Sequence, residues 1–211
     1  NRIAYEFEDT VLADQSGDLL PEEMGGVATY QRSVPLRSGR YKLTLILKDG
    51  NSGKVSVTAT PIRVVPFESR TLTTSSIILA DKVLSSDPGT LLSEPFVVPG
   101  GFKIFPNVTQ EFTNRDRCFF YVEAYEVAID QSTLQPLLGA EIYLVHDGRI
   151  VRREQPKAVT LGDRVAIFQD VDLSRLLAGK HRIELHVDDR ISGQRVIRRA
   201  ELTILDESGG S

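Results

Sequence analysis

Apolar and polar residues alternate along much of this chain. Arg40-Tyr41-Lys42-Leu43-Thr44-Leu45-Ile46-Leu47-Lys48 puts Tyr41, Leu43, Leu45 and Leu47 on one face of an extended segment, and Lys54-Val55-Ser56-Val57-Thr58-Ala59 does the same with Val55, Val57 and Ala59. A period of two with one apolar face predicts half-buried antiparallel strands. Between them, Asp49-Gly50-Asn51-Ser52-Gly53 is rich in residues that accept positive φ, so the two segments form a hairpin.

The same plan recurs. His181 to Val187 alternates, Asp188-Asp189-Arg190-Ile191-Ser192-Gly193 turns, and Gln194 to Leu205 returns. Residues 36–65 align on 176–205 without a gap, at a constant offset of 140, and Leu36, Gly39, Leu45, Asp49, Ser52 and Gly53 recur as Leu176, Gly179, Leu185, Asp189, Ser192 and Gly193. Upstream, Val27-Ala28-Thr29-Tyr30-Gln31 resembles Val165-Ala166-Ile167-Phe168-Gln169, with a two-residue insertion near Leu173-Ser174. The matches fall on turn residues and on one strand face, which geometry constrains most. They describe an internal repeat of a three-strand unit.

The expected fold is therefore all-β: two tandem immunoglobulin- or fibronectin-like antiparallel β-sandwich modules. The first covers 1–66 and closes at Pro66, which cannot donate in a sheet ladder. Its strands are expected at 2–9, 27–34, 40–48 and 54–65. A full sandwich needs about seven, so its first strands lie upstream of Asn1 or its sheet leans on the second module. The second module covers 72–205, with strands at 72–80, 102–105, 118–128, 140–146, 164–171, 181–188 and 194–204. Asp147-Gly148 marks a two-residue hairpin. Segments 81–101 and 129–139 read as loops, 172–177 as one helical turn capped by Asp172, and 206–211 as a flexible tail.

Composition narrows the function. Of 211 residues, 41% are hydrophobic, enough for a core. A net charge of −4 argues against a nucleic-acid binder. The basic groups Arg149, Arg152, Arg153 and Arg195, Arg198, Arg199 read as solvated strand faces, since no aromatic platform is interleaved with them. No apolar run approaches the roughly 18 residues that span a bilayer. The chain opens on Asn1 without a charged-then-apolar leader, so it is expected to be processed or cut from something longer.

Each candidate for chemistry has a plainer reading. Cys118, inside Cys118-Phe119-Phe120-Tyr121-Val122, is expected to be a core thiol. His181 and His186 are five apart and point to opposite faces of one strand, and His146 has no His or Cys near it in sequence, so no zinc set is expected. Asp14-Gln15-Ser16-Gly17-Asp18 is the nearest approach to a calcium loop but lacks a closing bidentate Glu. Glu22-Glu23 and Asp188-Asp189 are further acidic pairs, and Glu6 and Glu8, on one face of their segment, read as solvated acids. Asn107-Val108-Thr109 fits a glycosylation sequon. No nucleophile or phosphate-binding motif is present in the sequence. Catalytic, cofactor and metal residues are therefore all expected to be none. Both faces of 119–122 are apolar, which predicts a central strand or one covered by the neighbouring module.

Two stretches carry a family resemblance. Gly101-Phe102-Lys103-Ile104-Phe105-Pro106-Asn107-Val108-Thr109-Gln110-Glu111-Phe112 and Cys118-Phe119-Phe120-Tyr121-Val122-Glu123-Ala124-Tyr125 resemble the region that follows the von Willebrand factor A-like domain in acidobacterial VWFA-related proteins. Similar modules occur in GWxTD-type proteins. Shared features are the Leu-x-x-Gly-x-Tyr entry at Leu36 to Tyr41, the Ser75-Ser76-Ile77-Ile78-Leu79 strand and the Asp147-Gly148-Arg149 hairpin. The resemblance implies a secreted or cell-envelope bacterial protein with a metal-binding A domain upstream. The Asp-x-Ser-x-Ser motif of that domain is absent from this sequence, so no metal residue is carried over.

The expected function is a non-catalytic structural or interaction region that spaces or presents neighbouring domains, with a protein or a domain of the same polypeptide as partner. The alternative is a carbohydrate- or protein-recognition module using loops 81–101 and 129–139.

Overall fold

The computed structural model describes residues 3–11, 30–66, 68–85, 97–98 and 101–206. The chain forms two compact units, divided after Pro66.

In the first unit, β1 (Gly39–Lys48) and β2 (Val55–Val64) form an antiparallel hairpin of ten paired positions, from Gly39 opposite Val64 to Lys48 opposite Val55. Among the described residues this is its only sheet. The strands expected at 2–9 and 27–34 are not formed where the chain is described, and 27–29 lie outside the described residues. Alternation shows which side chains favour burial, but a strand also needs a ladder partner. Side chains hold these segments instead: the Tyr30 hydroxyl donates to Asp9 at 2.6 Å, Arg32 pairs with Asp9 at 3.0 Å, and the Arg32 guanidinium lies 4.1 Å from the Phe7 ring centre.

The hairpin register also corrects the single apolar face. Leu43, Leu45 and Leu47 stand opposite Thr60, Thr58 and Ser56, whereas Val57 and Ala59 stand opposite Ile46 and Thr44. Directly paired residues share a face. The two apolar rows therefore lie on opposite faces, because the six residues 49–54 between the paired Lys48 and Val55 set a register that alternation within each strand cannot reveal.

The second unit is a β-sandwich. Its first sheet contains β7 (Glu111–Phe112), β9 (Leu138–His146), β10 (Arg149–Glu154), β13 (Gly179–Asp189) and β14 (Arg195–Ile204), in the order β10-β9-β13-β14-β7. Its second sheet contains β4 (Ile78–Ser85), β5 (Val97–Val98), β6 (Phe102–Pro106), β8 (Cys118–Tyr125), β11 (Lys157–Leu161) and β12 (Arg164–Val171), in the order β11-β12-β8-β4-β6-β5, with β3 (Thr73–Thr74) also on β8. Among the described residues all its pairings are antiparallel except β7 with β14. Phe120, Val122, Val165 and Ile167 from one sheet meet Ile142, Leu144, Ile183, Leu185, Val187, Leu202 and Ile204 from the other in one buried core.

Several boundaries differ from the sequence reading. Residues 81–85 continue β4, and 97–98 form β5, inside a segment expected to be loop. A register shift between Ala80 and Lys82 breaks the period-two pattern there. The strand expected at 118–128 ends at Tyr125, because Glu126 takes a φ of 55°. The 172–177 segment is a turn: Asp172 Oδ1 accepts from the Ser174 amide at 2.9 Å, and no helix follows. At the β9–β10 turn, Asp147 and Gly148 have φ of 48° and 75°, as a primed hairpin turn requires.

Candidate functional site

The residues singled out in the sequence are mostly committed to the fold. Cys118 is buried, and burial pushes its thiol up to about 12, reinforced by the charges of Asp170, Asp81 and Glu154. A thiolate is the reactive form, so this cysteine is a packing group. His181 and His186 do point to opposite faces, His181 into the core. His146, expected to be alone, pairs with His181 across β9 and β13, with the rings stacked at 4.3 Å. Sequence distance hid this contact because cross-strand register brought it about. His146 Nδ1 lies 3.0 Å from the Lys180 carbonyl oxygen and His181 Nε2 lies 2.8 Å from that of Leu177. Among the described residues no three His, Cys, Asp or Glu side chains are grouped to hold a metal. The Asp14–Asp18 stretch and Glu22-Glu23 lie outside the described residues.

The arginines of β10 and β14 divide between two faces. Arg153 pairs with Glu141, Arg195 with Asp188, and Arg199 with Glu184 at 3.0 Å, where Arg182 joins at 2.8 Å. This outer ladder of alternating charge covers β9, β13 and β14. Arg198 turns inward, 3.4 Å from Thr73 Oγ1 and from the Thr74 carbonyl oxygen. The Asn107 amide nitrogen of the sequon donates to Asp81 at 3.0 Å and to the Glu111 carbonyl at 2.8 Å, tying β4 to the β6–β7 turn.

The second sheet carries apolar groups on its outer face as well. Ala80, Ile104, Phe119, Tyr121 and Ala166 form a second buried cluster there, joined by Val83, Leu161 and Phe168. Beside it lies a concavity of about 450 Å³ lined by Val83, Phe102, Arg117, Phe119, Lys157 and Phe168, with Gln169 and Asp170 completing it. Phe119 and Phe168 stack at 6.2 Å, and Phe102 is exposed. At the rim, Arg117 holds Asp170 through two bonds of 2.6 and 2.9 Å. Aromatic faces beside planar hydrogen-bonding groups can hold a ligand by stacking and by directed polar contacts.

Further along the same face, Glu123 accepts from the Tyr121 hydroxyl at 2.8 Å and from the Tyr125 hydroxyl at 2.5 Å, and Arg164 lies 3.1 Å from it. Burial raises both phenols well above their ordinary range, and the adjacent carboxylate adds to it. These hydroxyls stay protonated at neutral pH and act as donors, not as bases.

The 129–139 loop is a tight turn. Asp130 Oδ1 accepts from the Ser132 and Thr133 amides at 2.8 and 2.9 Å, and Ile129 bridges to Pro136. These bonds, with the Ser132 hydroxyl foremost, lower the Asp130 carboxyl to about 2. The turn presents Ile129, Leu134 and Leu137 to solvent.

Phe102 belongs to a group of second-module aromatics whose sequence reading is mostly core, yet it is exposed, and the Arg117–Asp170 pair was not picked out from sequence. The outward row Phe119, Tyr121, Glu123, Tyr125 was visible in the alternation, but which strands flank it was not. No family model matches the chain, and no curated protein matches it.

Proposed function

We propose that this chain is a non-catalytic structural and interaction region of a secreted or cell-envelope protein, spacing or presenting neighbouring domains. One observation carries the contact role: aliphatic side chains stand exposed on well-formed hairpin and turn backbone, at Leu43, Leu45 and Leu47 and at Ile129, Leu134 and Leu137. Exposed apolar groups gathered on rigid elements mark contact surfaces. The buried polar groups serve the frame: Asp189 fixes a turn and His181 holds the Leu177 carbonyl. The secreted setting rests on the family resemblance.

The second reading is a recognition module for carbohydrate or protein. The loop aliphatics at 129–137 favour it, and so does the aromatic concavity beside Phe102. Immobilised full-length chain would be tested against a glycan array and against chromogenic ester, glycoside and phosphate substrates. The spacer reading expects no saturable glycan binding and no turnover. Glycan binding lost in Phe102→Ala would replace it with the recognition reading. Turnover that co-purifies with the chain and follows its thermal unfolding would overturn the non-catalytic assignment.

A further inference from the structure

The repeat seen in sequence is a repeat in structure. β1–β2 and β13–β14 have the same register at the same offset: Gly39 faces Val64 as Gly179 faces Ile204, and Leu45 faces Thr58 as Leu185 faces Arg198. The turns match bond for bond. Gly53 and Gly193 have φ of 68° and 72°, and each donates its amide to the turn aspartate carbonyl at 2.8 Å.

The environments differ. Ile183, Leu185 and Val187 are 0% exposed, whereas their counterparts Leu43, Leu45 and Leu47 are 48%, 41% and 60% exposed. The second copy's face lies against Phe120, Val122, Val165 and Ile167 of the opposite sheet. We propose that the face of β1–β2 bearing Tyr41, Leu43, Leu45, Leu47 and Ile62 is an open half-sandwich that docks the apolar face of a β-sheet built like β8 and β12. The inference rests on the interaction reading of this hairpin and deepens it by naming the partner, and it stands even if the second unit's surfaces bind nothing.

Charge and area select this occupant. The face has no charged residue: Tyr41, Leu43, Leu45 and Leu47 are joined by Ser56, Thr58, Thr60 and Ile62. Arg40, Lys42, Lys48 and Arg63 all fall on the other face, so the apolar face suits a neutral partner. The opposing layer in the second unit is neutral too, with Cys118, Phe120, Val122, Ala124, Val165, Ile167 and Val171 directed inward. A second copy of the hairpin is too small a partner. Ten residues on two strands cover ~34 Å by ~10 Å, or about 340 Å², against about 800 Å² per partner for a stable interface. A wider sheet, with a further strand along β1 as β9 lies along β13, supplies the remainder.

The second unit offers a test, because there the partner sheet is known. In the full chain, the first hairpin's face, apart from Tyr41, whose counterpart His181 is left stacked on His146, is grafted onto the second by Ile183→Leu, Val187→Leu, Val196→Ser, Arg198→Thr, Ala200→Thr, Leu202→Ile and Ile204→Val. A fitting face gives a cooperative melt with Tm within about 10 °C of the parent, and adding Leu185→Asp to the graft abolishes that transition. Because Arg198 contacts Thr73 and Thr74, a milder graft keeps only the four aliphatic exchanges. Loss of cooperative melting in that milder graft would overturn the proposal. So would sedimentation showing self-association of the unaltered chain that Leu45→Asp removes, since the occupant would then be a second copy.

Discussion

Asp49 and Asp189, 140 positions apart, hold the same turn: each donates its amide to the residue five places on at 2.9 Å, and each accepts at Oδ1 from the amide two places on, also at 2.9 Å. Each also accepts from a serine hydroxyl, Ser52 or Ser192. Only Asp189 goes further, accepting from the Ala128 amide at 2.9 Å, and only Asp189 is buried. One local motif thus closes the β1–β2 hairpin in the first unit and anchors two loops in the second.

Asp189→Asn should destabilise the second unit by about 2 kcal/mol, because a buried amide loses its charged acceptor. Asp49→Asn should leave the second unit's melting transition unchanged. Burial pushes the Asp189 carboxyl up, but the bonds from Ala128, Ser192 and Ile191 outweigh it and hold the carboxyl below its ordinary value. The folded state therefore favours the ionised form. That stabilisation is complete above about pH 4–5 and is lost as pH falls through the lowered folded value. Urea melts between pH 3 and 7 should show a shallower acid loss in Asp189→Asn than in the parent.

Leu45 and Leu185 make a matched pair for measuring burial. They share residue type, strand position and register, and differ in exposure. Leu185→Ala should cost the second unit about 3 kcal/mol, lowering its Tm by ~10 °C. Leu45→Ala should change that Tm by less than about 2 °C. Calorimetry of the two variants decides it, and equal shifts would show that exposure at Leu45 does not reflect its energetic role.

What the sequence revealed depended on whether neighbours in the chain were also neighbours in space. The repeated hairpin was legible to its turn, because Asp, Ser and Gly at fixed spacing specify their own bonds. The strands at 164–171 and 102–105 were legible because one face is strongly apolar. The His146–His181 stack, the Arg117–Asp170 pair and the opposed apolar rows of β1 and β2 were not, since each depends on cross-strand register. The β4 extension was hidden by its own bulge. Segments 2–9 and 27–34 failed oppositely: their pattern suits a strand, but no ladder forms where they are described.

Cys118 supplies a probe of opening. Its thiol is buried and raised to about 12, so at pH 8 it is neither accessible nor ionised. Ellman's reagent should react at the rate of unfolding and reach one thiol per chain in denaturant, since the sequence has one cysteine. Cys118→Ser should destabilise by about 1–3 kcal/mol, the cost of a buried hydroxyl without a partner. Rapid labelling of folded protein would contradict the packing role.

The tyrosines around Glu123 set an alkaline limit. Tyr121 and Tyr125 are raised first by burial, then by their bonds to the Glu123 carboxylate. In the unfolded chain a phenol ionises near pH 10. Above that pH the native state binds more protons than the unfolded one, so stability falls as pH rises. The contribution is intact below pH 10 and declines progressively above it, up to the raised folded values. Absorbance at 295 nm should show both hydroxyls ionising only as the second unit unfolds. Tyr121→Phe should lose some stability at pH 8, through the missing bond to Glu123, yet fall less steeply between pH 10 and 11. A variant as alkali-sensitive as the parent would show that Glu123 and its two phenols do not govern that limit.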